Sequence, residues 1–192
     1  MPNHDPIEQE IVDSLKAFYP VAVSKRYTNA DWTKGIKAVF SAIGHKKQYT
    51  TYFSNGAGRL FNDIQKDVSQ TLGGLLVPTG SHRPNEFCEW LYDIVWWRQD
   101  NQGHVIDMPL VAESEWGDFN AVTEDFQKLL LARSKYRVMI FEYNNKNQNN
   151  CVINWCKDQI NKFKYTQKGD RYLFCFYQGN ESGFYCETYV AS

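Results

Sequence analysis

Apolar positions recur at helical spacing early in the chain and at every second residue through its middle. In PIEQEIVDSLKAFY (6–19), Ile7, Ile11, Leu15 and Phe18 form one stripe. Pro6 suits a first turn, acids fill the early turns, and Pro20 is expected to end the helix. A second stripe (Trp32, Ile36, Val39, Phe40, Ile43) predicts a helix from Asn29 or Asp31 to about Lys47, closed by Gly44-His45-Lys46-Lys47. Residues 48–53, rich in Tyr and Thr, read as a short strand. Leu60, Phe61, Ile64 and Val68 suggest a short helix, and GGLLVPTGSHRP after it reads mainly as loop.

The period then changes to two. Residues 89–98 alternate Trp90, Tyr92, Ile94 and Trp96 against Leu91, Asp93, Val95 and Trp97. Asp100-Asn101-Gln102-Gly103 has turn chemistry and predicts a hairpin to a strand over 104–116, with Pro109 marking a bulge or an edge. Gly117-Asp118-Phe119-Asn120 breaks that strand. A helix is expected over 121–135 on the stripe Val122, Phe126, Leu129 and Leu130, followed by a buried strand, VMIFEY (138–143). NNKNQNN reads as a polar loop, with Asn150 capping a helix over 151–163, and strands over 171–177 and 183–190 close the chain. This order predicts an α/β fold, a mixed central sheet flanked by helices, in one domain. Its parts are the N-terminal helices and strand (1–54), a loop-rich insertion (55–85), a core (86–143), and a C-terminal helix and hairpin (144–192).

Composition narrows the function classes. At 43% hydrophobic and 16% aromatic residues the chain can build a packed core, and the aromatic surplus must go to that core or to a partner interface, a homodimer among the options. A formal net charge of −1 gives no global positive field, so any nucleic-acid surface would have to be a local patch. The five cysteines form no CxxC pair, and an odd count reads as free, mostly buried thiols. The polar, acidic MPNHDPIEQE resembles no signal peptide, and no apolar run approaches the ~20 residues that span a bilayer. A cytoplasmic location and no membrane partner are expected.

The candidate chemistry lies in carboxylates set among apolar strands. Asp93 interrupts WLYDIVWW, and LVAESEW ends in Glu113 and Glu115, which strand geometry points the same way, with Ser114 opposite. With Asp93 on the neighbouring strand, three acids can converge. Unpaired buried acids are costly, and a hard divalent cation resolves the conflict by taking one or two carboxylates, a carbonyl and several waters. Salt bridges on a solvated sheet face are the competing explanation. His4, His45, His82 and His104 lack metal-site spacing, Ser114 sits in no GxSxG, and the Gly-rich stretches match no phosphate loop. Lys128, Arg133, Lys135 and Arg137 form a cationic cluster that could serve a phosphate backbone or simply solvate a helix, and Trp90, Trp96, Trp97 and Trp116 are candidates for base stacking or for packing in the core or a partner interface.

Asp93, nineteen intervening residues, then Glu113-Ser114-Glu115 and a helix carrying DFQKLL, together resemble the core of the PD-(D/E)XK nuclease superfamily, over about residues 89–143. The resemblance implies a restriction-endonuclease-like fold and a Mg²⁺ (or Mn²⁺) ion held by Asp93, Glu113 and Glu115. It further implies metal-activated water hydrolysing DNA or another nucleic acid. Tyr92 stands where the motif has Pro, and Glu115 where it usually has the catalytic Lys. Lys128, on the following helix, is the candidate for a migrated Lys, and Glu86 and Glu89 for the family's helix Glu. Two other functions remain open: a non-catalytic binding or assembly module of the same fold, and a small-molecule or nucleotide hydrolase using the same acids.

Overall fold

The structure is a computed structural model that describes residues 4–53, 62–78, 91–142, 146–177 and 183–192. Its elements are α1 (Pro6–Ser24), α2 (Asn29–Lys46), β1 (Thr50–Phe53), α3 (Asn62–Thr71), β2 (Ile94–Gln99), β3 (Val105–Glu115), α4 (Phe119–Leu131), β4 (Tyr136–Phe141), α5 (Lys146–Lys162), β5 (Arg171–Tyr177) and β6 (Phe184–Val190). The fold is mixed α/β. All six strands form one sheet in sequence order, antiparallel from β1 to β3, parallel from β3 to β5, and antiparallel again at β6. The helices α1, α2 and α3 bury Ile11, Leu15, Phe18, Ile36, Phe40 and Val68 on one face of the sheet. On the other face, α4 and α5 bury Val122, Phe126, Leu129, Val152 and Ile160. No described helix is long and apolar enough to cross a membrane.

Local chemistry explains most boundaries. Asp5 caps α1 through the N–H groups of Ile7 and Glu8, and Glu8 answers from its own carboxylate to the Asp5 N–H. Glu8 is buried beneath this cap, where it accepts hydrogen bonds from Arg171 and Thr188 and so ties α1 to β5 and β6. Both α1 and α2 end in paired backbone hydrogen bonds, with Arg26 and Gln48 in the left-handed region where glycine is usual. Pro20 does not end α1: it lies exposed within the helix, while Phe18 and Ala22 on either side are buried, so core packing outweighs one lost hydrogen bond. The Asn-rich segment is helical from Lys146, and Asn150 lies inside α5 rather than capping it, with Asn149 buried and its amide on the Tyr177 carbonyl. In the expected insertion, α3 joins the core through Ile64 and Val68, and Lys25 and Tyr27 hold its Asp67.

The turn after β2 forms around Asp100, which accepts from the N–H groups of Gln102 and His104, with Gly103 at φ 86°. The β2–β3 register then slips twice. Trp97 spans Met108 and Pro109, and Ile106 is an extra residue between two paired positions. Pro109 is tolerated because pairing with β4 starts only at Leu110, opposite Tyr136.

The close crossing of α1 and α2 depends on Gly35, where an added Cβ would run into the Phe18 ring. Gly35→Ala is expected to destabilise the protein by about 1–3 kcal/mol, read as a lower urea midpoint. An unchanged midpoint would mean that the two helices separate without cost.

Candidate active site

The antiparallel register that pairs Ile94 with Ala112 sets the next two residues, Asp93 and Glu113, opposite each other where the β2–β3 ladder ends. Asp93 lies in the bend just before β2 and is partly exposed; Glu113 is inside β3 and only 2% exposed. The two meet through the backbone: the Asp93 N–H donates to Glu113 Oε2 at 3.1 Å, and the Ser114 N–H donates to Asp93 Oδ2 at 3.1 Å. The other Glu113 oxygen, Oε1, is buried and has no hydrogen-bond partner.

Two lysines bracket this pair from opposite faces of the sheet. From α2, Lys37 Nζ lies 3.6 Å from Asp93 Oδ1. From α4, Lys128 Nζ lies 3.8 Å from Glu113 Oε1 and 2.7 Å from Asp125 Oδ1. Helix α4 is held at both ends: Asp118 accepts from the Ala121 N–H, and the buried Arg137 donates twice to the Ala132 carbonyl. Tyr92, under α4, directs its hydroxyl to the Lys128 carbonyl at 3.4 Å. The indole of Trp116 donates to Thr33, one helical turn before Lys37 on α2.

Asp93, Glu113 and Lys128 therefore come together, and Glu115 turns elsewhere. Its Oε1 accepts the N–H groups of Trp116 and Gly117, at 2.8 and 2.6 Å. Strand period puts Glu113 and Glu115 on one face, but Glu115 is the last strand residue, and the turning chain offers it backbone donors. Among the described residues, no group of three or more His, Cys, Asp or Glu side chains is arranged to hold a metal. Lys37 was missed in the sequence. Its signal is a single charge inside the small and apolar run GIKAVFSAIG, next to the stripe residue Ile36.

The remaining candidate residues lie in varied settings. Arg137 is buried as a cap on α4 that also pairs with Asp170, so it belongs to no surface cluster. Arg133 and Lys135 line a cleft of about 620 Å³ together with Tyr92, Met108 and Leu131. Trp96 and Trp97 are core residues and Trp116 is half-buried, so none of the three is a freely exposed stacking platform. Cys156, Cys175 and Cys186 are buried free thiols and Cys151 an exposed one. His4 bonds Thr188, His104 bonds Asp100, and His45 sits in the last turn of α2. Glu86, Cys88, Glu89, Trp90 and His82 lie outside the described residues. Compared with family models, curated proteins and solved structures, the chain has no match.

Burial pushes the Glu113 carboxyl up to about 8; the charges of Asp93 and Asp125 act in the same direction, while the Asp93 N–H and Lys128 oppose them. A carboxyl raised above its ordinary value of 4.5 favours the native state below that value, and the advantage is lost as pH rises through 8. The urea midpoint of the wild type should therefore fall between about pH 5 and pH 8.5, while Glu113→Gln, unable to ionise, should fall less. Parallel curves for the two proteins would show that Glu113 is ionised across the whole range.

Proposed function

We propose that the chain is a Mg²⁺-dependent phosphodiesterase of restriction-endonuclease-like architecture that hydrolyses a nucleic acid, with Asp93 and Glu113 as the metal ligands. The observation that carries this reading is the buried Glu113 Oε1, which has no hydrogen-bond partner and belongs to a carboxylate that accepts the backbone N–H of a second acid, Asp93, where β2 and β3 end. Two carboxylates with carbonyls and waters are the donor set Mg²⁺ takes, so the residues present fit the ion. The placement of the two acids, Asp93 just before β2 and Glu113 on the adjacent β3 with α4 following, supports this reading.

The charges favour a phosphodiester. Asp93, Glu113 and Asp125 against Lys37 and Lys128 leave one negative charge when all five are ionised. A divalent ion makes the site net positive and complementary to phosphate. When bound, the metal supplies a Lewis acid for the phosphoryl oxygens and lowers the pKa of a coordinated water. Lys128, whose side chain is 35% exposed, is the group able to meet a phosphate and stabilise charge developing on it. Glu115 fixes the turn into α4 and thereby the placement of that lysine, a positioning role. The cleft beyond Tyr92 offers a polymer room, with Arg133, the Asp5-paired Lys135 and, as the one acid, Asp107 among its described lining residues.

A second reading has its own support. Lys37 and Lys128 already face Asp93 and Glu113, and Glu115 is engaged with backbone donors, so most of the carboxylate charge is offset without metal, as a non-catalytic module would keep it. Calorimetric titration of Mn²⁺ into the wild type and into Asp93→Asn/Glu113→Gln separates the two. Binding that disappears in the double variant is expected. Cleavage of single- and double-stranded oligonucleotides should then vanish in Glu113→Ala and drop by about 10²–10³ in Lys128→Ala. Absence of Mn²⁺ binding at millimolar metal would favour the module, and cleavage retained in Glu113→Ala would refute the assignment.

A further inference from the structure

Lys37 is the one charged residue in Gly35–Gly44, a run buried at every position, and its side chain is only 6% exposed. An ammonium taken that far from water costs several kcal/mol unless it is paired. Among the described residues it pairs with the Asp93 carboxylate, 3.6 Å away, and Asp93 is joined through its own N–H to Glu113, whose Oε1 is buried without a hydrogen bond. Two carboxylates held side by side through backbone hydrogen bonds at the edge of a core call for positive charge. Lys37 supplies one such charge permanently, from a helix locked against its neighbour at Gly35. Lys128 differs: it is shared with Asp125, partly exposed, and on the opposite face of the sheet.

We infer that Lys37 is a tethered cation that competes with a divalent ion for Asp93, holding the carboxylate pair together when no ion is bound and setting the concentration at which one enters. A tethered ligand acts at a high effective concentration, so the native site loads only at higher free metal than its two carboxylates alone would require. Lys37 is thus a positioning residue, acting through Asp93 and not on substrate. The inference deepens the metal-dependent reading and rests on it only for the catalytic use of the ion.

The test is thermal unfolding with Mn²⁺ alone, without nucleic acid, on the wild type, Lys37→Met and Lys37→Met/Asp93→Asn. Methionine keeps the apolar stem and removes the charge. Lys37→Met should melt below the wild type in metal-free buffer, and Mn²⁺ should raise its Tm by at least roughly twice the wild-type shift. The added Asp93→Asn should cancel that surplus. Equal, non-zero shifts in wild type and Lys37→Met would overturn the role of Lys37 and leave the metal site standing. A response in Lys37→Met with none in the wild type would support Lys37 and refute a native metal enzyme. No response in either would overturn both. Should Lys37→Met not fold in metal-free buffer, recovery on refolding with Mn²⁺ supports the inference, and failure in both conditions overturns it.

Discussion

The register of β3 is the constraint on which the site depends. This strand pairs antiparallel with β2 on one side and parallel with β4 on the other. Because side chains alternate, a slip of one residue would turn Glu113 to the α2 face and bring Ser114 beneath α4. Two extra residues, at Ile106 and in the Met108–Pro109 pair, absorb the mismatch with β2 before the functional end is reached, so Ile94–Ala112 and its neighbours pair without distortion. The irregular half of the hairpin lets the regular half hold a fixed alignment.

From that alignment follows an electrostatic arrangement spread over three layers. The acids belong to the sheet and to α4, and the lysines come one from each helical layer. A charge pair lying wholly within one layer would be satisfied by side-chain rotation alone. Here the balance exists only when α2, the sheet and α4 are all docked, and the cost of leaving Glu113 buried beside Asp93 falls on any state in which one layer has moved away.

Much of the sheet was legible because its signals are local. Asp93 stood out as an acid interrupting an aromatic strand, the Asp100–Gly103 turn fixed the hairpin, and Pro109 announced the bulge. Local rules failed where distant packing decides. Pro20 stays helical between the buried Phe18 and Ala22, and the Asn-rich segment is helical from Lys146, with Asn149 buried in α5 and its amide on the Tyr177 carbonyl. The site was half legible for the same reason. The expected hairpin placed Asp93 beside Glu113, but period two, which aligned Glu115 with Glu113, could not show that a strand's last residue would take its donors from the turn, as Glu115 does. Nor does periodicity report a lysine whose meaning depends on an acid 56 residues away in sequence.

Helix α2 grips the sheet at two points one turn apart, Thr33 on Trp116 and Lys37 on Asp93. The first point lies on the turn that leads into α4, the second on the bend that leads into β2. A stiff rod pinned twice cannot slide or roll at one pin without straining the other, so the back wall of the site yields as a unit. The chain bends just before β2 and turns just after β3, and one helix acts as the common pin for both corners.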